Sequence, residues 1–175
     1  MVAEQSVETI WNGAKDTFLP YEGAVSTLHM LDIPTQHRLD ITNSYLNAVN
    51  ISGISRTGID ESKEWKKFSL DAQTEFEKGD TKFNWVFEGA LDGDRSLRLF
   101  LDYYNEDSFD IELVFWADEF FPNPENEKEC LVSFKDLISL THSFREICPS
   151  SEFAFNAYPV ADTRKHRGEP ATFFW

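Results

Sequence analysis

Residues 81–116, TKFNWVFEGALDGDRSLRLFLDYYNEDSFDIELVFW, alternate with period two through three successive runs. Phe83, Trp85 and Phe87 fall on one face of an extended strand, with Lys82, Asn84 and Glu88 on the other. After Leu91-Asp92-Gly93-Asp94 the pattern restarts with Leu97, Leu99 and Leu101, set against Arg98, Phe100 and Asp102. Past Asn105-Glu106-Asp107 it returns with Phe109, Ile111, Leu113 and Phe115, against Asp110, Glu112, Val114 and Trp116. Alternation broken by Asp-Gly and Asn-Glu-Asp is the mark of antiparallel strands joined by tight hairpins. The stretch therefore predicts a three-strand meander whose apolar face must be covered.

Candidate covering helices flank the meander on both sides. Upstream, Asp60 is a suitable N-cap, and Glu61 and Glu64 complement the positive end of a helix dipole. Trp65, Phe68, Ala72 and Phe76 then recur at spacings of three and four, an apolar helix stripe ended by Lys78-Gly79-Asp80. Downstream, Ser133 is a good N-cap for a second helix with Phe134, Leu137, Ile138, Thr141 and Phe144 on one face. Asp136 falls in its first turn, His142 and Arg145 in its last, and Pro149-Ser150-Ser151 stops it. Residues 152–158 alternate Phe153, Phe155 and Ala157, a fourth core strand. The expected fold is α+β: an antiparallel sheet of four or more strands packed against two or more helices.

The flanks are less regular. Met1 to Pro20 is expected to be a short amphipathic helix or an arm, with Val7, Ile10, Trp11 and Phe18 as its apolar residues. Ala24 to Ile33 reads as a strand after the turn Pro20-Tyr21-Glu22-Gly23. Pro34 suits the first turn of a helix through Leu39, Ile41, Tyr45, Leu46 and Val49, yet the β-branched residues at 41–42 and 49–51 suit a strand equally. Gly53 to Gly58 reads as an exposed loop. Ala117 to Glu129, with Pro122 and Pro124, is expected to be irregular, and Pro159 to Trp175 a polar, locally basic tail with an apolar end. A chain of 175 residues with no composition break or repeat is expected to be one domain, 1–175.

Charge carries the functional reading. There are 31 acidic residues against 16 basic ones, a formal charge of -15. Sixteen Phe and five Trp are too many for a disordered acidic chain, so the acidity belongs to a folded surface. Such a surface repels nucleic acid and anionic membranes and draws in basic partners. No run approaches a membrane span, and Met1 to Thr9 has neither the basic nor the apolar region of a secretory signal, so a cytoplasmic location is expected. Cys130 and Cys148 are expected as free, dispensable thiols.

Motifs for chemistry are missing. No glycine-rich phosphate loop, nucleophile elbow or His-Glu-x-x-His is present. Cys130 and Cys148 lack companions for zinc, and His29 and His37 fit no metal spacing, so neither metal nor cofactor is expected. Asp92 and Asp94 are explained by the turn at Gly93. What stands out is Asp102 to Glu129, where acids are interleaved with aromatic rings. Tyr103, Tyr104, Glu106, Asp107, Asp110, Trp116, Asp118, Glu119, Phe120 and Phe121 are the expected partner-binding residues. Carboxylates there would steer a basic partner in, and partly exposed rings would anchor it. The competing expectation is that Phe120 and Phe121 fold back over the sheet edge.

A small acidic domain with no catalytic motif, an aromatic-rich sheet and an acidic irregular loop resembles the immunity proteins of bacterial toxin systems. The resemblance is one of overall character across the whole chain. It implies an inhibitor that neutralises a cognate toxin domain, such as a basic nuclease, by direct complex formation. Phage-type inhibitors that mimic DNA charge share this character and are the alternative. Two other classes stay open: a small enzyme assembled from Cys130, His142 and Glu88, and an adaptor that uses a sheet edge for assembly.

Overall fold

The computed structural model describes residues 5–18, 25–57, 66–67, 70–78, 84–156, 162–169 and 172–175. The expected meander is its centre: β4 (Asn84–Leu91), β5 (Arg95–Tyr103) and β6 (Ser108–Trp116), with Phe87 opposite Leu99 and Leu99 opposite Leu113. Asp92 and Gly93 take φ of 50° and 85° at the first hairpin, the left-handed backbone that a tight turn demands. At the second, the Asn105 Oδ1 accepts from the amides of Asp107 and Ser108 (2.8 and 2.9 Å). Lys82 and Phe83 lie outside the described residues.

Around this meander the sheet grows to eight strands, all paired antiparallel. The order is β3-β2-β4-β5-β6-β1-β7-β8, with β1 Val25–Pro34, β2 Asn50–Thr57, β3 Lys66–Lys67, β7 Glu152–Asn156 and β8 Thr172–Phe174. Register sets the core face. Leu28 lies opposite both Leu113 and Phe155, and Met30 opposite both Ile111 and Phe153, all of them buried. Among the described residues every α-helix covers this same face. In α1 (Val7–Phe18), Trp11 meets Phe134 of α5 (Glu127–Ile147) at 5.1 Å, and Phe134 in turn lies on Phe155. The Tyr45 hydroxyl of α2 (Arg38–Ala48) donates to the Leu97 carbonyl (2.7 Å). Phe76 of α3 (Leu70–Lys78) stands edge-on to Trp85 and Phe87. Phe120 of the single-turn α4 (Ala117–Phe120) packs on Phe115. The α+β class, the meander and the covering helices are as the sequence predicts.

Several boundaries differ, each for a physical reason. Pro34 ends β1, and after a 3-10 turn (Thr35–His37) the helix runs only to Ala48; Val49 is its extended C-cap and Ile51 goes to β2. Gly53 is not in a loop but at a register shift within β2, where Ile54 pairs with Phe87 in the core; Gly58 lies outside the described residues. The helix expected from Asp60 begins at Leu70, because Lys66–Lys67 pair with Gly53 and Ile54. Asp60, Glu61, Glu64, Trp65 and Phe68 lie outside the described residues, as does Ala157. The α5 helix starts six residues before Ser133. Its cap is Asn126, whose Oδ1 accepts the Glu129 amide while its Nδ2 donates to the Glu129 carboxylate (2.6 Å), a reciprocal box that replaces the Ser133 cap. The C-terminal segment is no loose tail: Phe173 pairs with Phe155, and the Trp175 ring stacks on Phe153 and Phe155 (5.4 and 4.9 Å).

Candidate interaction surface

The expected partner-binding residues do not form one surface. They sit at opposite ends of β6, and nine strand residues at ~3.3 Å each separate the two groups by roughly 25 Å. The hairpin end holds Tyr103, Tyr104, Glu106, Asp107 and Asp110. The far end holds Trp116, Asp118, Glu119, Phe120 and Phe121.

At the far end the aromatic residues are largely internal. Phe120 and Phe121 are buried, with rings against Phe115, and Phe121 also meets Trp11, which corrects the expectation that they are partly exposed. Both are apolar, and burial on a strand-to-helix corner removes more ring area from water than an exposed rim could. Trp116 is half-buried, with the Arg98 guanidinium 4.9 Å from its ring centre. Three acids here are already committed. Glu119 accepts the Ser96 amide (2.6 Å), Glu127 holds Lys15 and the Trp11 indole (2.8 and 3.1 Å), and Glu129 closes the α5 cap. Asp118 and Glu125 are exposed.

The hairpin end is different. Tyr104 is 59% exposed, and Glu106 and Asp107 are exposed beside it. Among the described residues neither of those two carboxylates has an ion-pair partner. The turn is nonetheless rigid: the Thr35 amide donates to the Asp107 carbonyl (2.8 Å) and the Thr35 hydroxyl to that of Glu106 (2.9 Å). Tyr103 is half-buried against Phe109, and burial pushes its phenol up to about 12. The Tyr104 phenol also rises to about 12, through desolvation and then the nearby Asp110 and Asp102 carboxylates.

Asp110 is buried and belongs to an ion-pair hub that the sequence pattern did not announce. Arg164 grips it with both Nη atoms (2.7 and 2.8 Å) and donates also to Asp32 (2.7 Å). Asp32 sits at φ 57° where the β1 register shifts, and its own amide donates to Asp110 Oδ1 (2.7 Å). These hydrogen bonds push the guanidinium pKa further up. Lys165 lies near Asp162, and Arg167 is bonded to Glu152. Each basic residue of 164–167 thus has an acidic neighbour in the fold, although Lys165 and Arg167 stay exposed and the Arg164 guanidinium also lies 5.8 Å from the Tyr104 ring centre.

The enzyme residues are not brought together. Cys130 and His142 both lie on α5, about 18 Å apart along its axis at ~1.5 Å per residue. Glu88 is on the opposite sheet face, held by Arg98 (2.9 and 2.6 Å). Both thiols are buried and unbridged, and burial with Glu129 close by pushes Cys130 up, away from a reactive thiolate. A 370 Å³ groove between α2 and α5 is lined by Ser44, Asp136, Ser139 and Ser143, but these groups bind one another or the fold. Ser44 and Ser143 share a 2.7 Å hydrogen bond, and Arg95 holds Asp136. Among the described residues no group of three or more His, Cys, Asp or Glu could hold a metal ion, and no helix is long and apolar enough to cross a membrane.

No family model matches this chain, and no curated protein or solved structure is significantly similar to it.

Proposed function

We propose that this protein is an acidic binding protein that neutralises a basic partner by direct complex formation, in the manner of an immunity protein against a toxin domain. The observation that carries this is the hairpin end of the sheet. There an exposed tyrosine and two exposed carboxylates stand on a turn fixed by four hydrogen bonds to Asn105 and from Thr35. Exposed carboxylates accelerate encounter with a basic surface, and a rigid amphipathic ring loses little entropy when it is covered. With Phe120 and Phe121 in the core, docking is assigned to Tyr104, Glu106 and Asp107, with Tyr103 behind them.

The test is paired capture at low salt from cells of the source organism, with wild type and with a Tyr104→Ala, Glu106→Gln, Asp107→Asn variant. The expected result is a basic protein retained by wild type, lost by the variant, and inhibited in its own activity by wild type. A specific partner held equally by both proteins, or one whose activity is unaffected by binding, would refute the proposal.

A further inference from the structure

Tyr104 is the exposed ring of the hairpin, and a cation of the fold stands beside it. Alternation along β5 puts Asp102 on the sheet face away from the helices, opposite Asp110 of β6, and Tyr104 is two residues beyond it. Across that corner lies Arg164, its guanidinium carbon 5.8 Å from the Tyr104 ring centre, within the range of a cation–π contact.

Arg164 is itself fixed from several sides. Both Nη atoms bind Asp110 (2.7 and 2.8 Å), and Nη2 also donates to Asp32 (2.7 Å). Asp32 is held in turn, its amide donating to Asp110 Oδ1 (2.7 Å). The Asp162 carboxylate accepts the Arg164 amide (3.1 Å), and the preceding Thr163 is buried and accepts from Asn156 (2.8 Å). The guanidinium therefore has little freedom, and only a third of the side chain meets solvent.

We propose that Arg164 is a positioning residue for docking: it backs the Tyr104 ring and holds it in the orientation that a partner covers. The inference rests on the assignment of docking to Tyr104. An exposed tyrosine on a turn samples several χ1 rotamers, and that freedom is lost when a partner covers it. A ring already held by a fixed cation has lost it before the encounter, so the complex keeps more of the contact energy. Lysine is no substitute at this position. An ammonium keeps the charge beside Asp110, but it has no planar fork to grip both Asp110 oxygens and Asp32 while facing a ring.

Two readouts test this. In the free protein, Hα–Hβ couplings of Tyr104 by NMR should show a single χ1 rotamer in wild type and rotamer averaging in Arg164→Lys. The second readout uses the basic protein retained by wild type in the capture test, in a double-mutant cycle of Arg164→Lys and Tyr104→Ala. Arg164→Lys preserves charge, so association should stay near wild type while dissociation quickens about two- to fivefold, the worth of an exposed cation–π contact. In the Tyr104→Ala background, Arg164→Lys should change dissociation no further. Averaged couplings in wild type would overturn the positioning role without any variant having to fold. An equal effect of Arg164→Lys with and without Tyr104 would do the same. So would unchanged dissociation in folded Arg164→Lys where Tyr104→Ala weakens the complex, an outcome that leaves docking at Tyr104 standing. Tyr104→Ala binding as tightly as wild type, or no basic protein retained at all, would instead sink the docking assignment and this inference with it.

Discussion

The two ends of strand β6 are built from the same residue types and have opposite fates. Each carries two adjacent aromatic residues beside a pair of acids: Tyr103-Tyr104 before Glu106 and Asp107, and Phe120-Phe121 after Asp118 and Glu119. At the far end the rings enter the core and Glu119 becomes a backbone acceptor. At the hairpin end Tyr104 and both carboxylates face solvent. The hydroxyl is part of the difference, since a tyrosine can keep its polar tip wet where a phenylalanine gains only from burial. The other part is topology. A two-strand turn projects beyond the sheet, whereas the chain leaving Trp116 turns back toward α5 and is covered by it and α1. Nearness in sequence therefore did not make one surface.

The largest expected effect tests the buried end. Phe121→Ala removes a ring packed against Trp11 and Phe115 and should cost about 3–5 kcal/mol. Trp85→Ala, which strips the ring facing Phe76, belongs to the same range. Tyr104→Ala at the exposed end loses the Arg164 guanidinium 5.8 Å from its ring centre and should cost only about 0.5–1 kcal/mol. Urea denaturation of the three variants measures this, and equal losses for Phe121 and Tyr104 would break the comparison.

A middle effect is expected where the hairpin end does have a buried charge. Asp110→Asn weakens the grip of Arg164 and leaves that cation with Asp32 and Asp162. Breaking a fully buried pair costs about 3–5 kcal/mol. Arg164 is a third exposed, so solvent screening reduces the expected loss to about 1–3 kcal/mol. Glu119→Gln at the other end loses a charged acceptor for the Ser96 amide and should cost about 1 kcal/mol. Thermal melts of both variants give the ranking directly.

How much of this was legible follows from which forces are local. The meander was readable because period two and the Asp92-Gly93 turn are written in consecutive residues, and the register Phe87–Leu99–Leu113 follows from them. Strand β2 was not, because Gly53 and the polar residues near it show no alternation; its assignment depends on pairing with β4, forty residues or fewer downstream but invisible locally. The α5 start was obscured by Pro122 and Pro124, which end before the Asn126 cap begins. For the site, exposure of Glu106 and Asp107 was inferable from charge. The Asp32–Asp110–Arg164 hub was not, since it joins residues over a hundred positions apart through a bulge and a turn. Acid abundance in 102–129 made the segment look uniform, and only the span of β6 divides it.

The smallest effect on stability bears most directly on function. Glu106→Gln with Asp107→Asn, and separately Asp118→Asn with Glu119→Gln, each removes two negative charges from one end of β6. Surface charges without ion-pair partners contribute little to folding, so the hairpin pair should shift stability by no more than about 0.5 kcal/mol. Their effect on association is expected to be larger, because opposite charge raises the encounter rate before any contact forms. Screening limits the range: the Debye length is about 8 Å at physiological ionic strength. The ends are roughly 25 Å apart, so each pair acts on a partner docking near it and hardly on one docking at the other. With the captured basic partner, stopped-flow association across a salt series should therefore slow for the hairpin pair and flatten in its salt dependence, while the far pair stays near wild type. A partner slowed more by the far pair would move the docking face to Asp118 and Glu119 and remove the basis for assigning it to Tyr104.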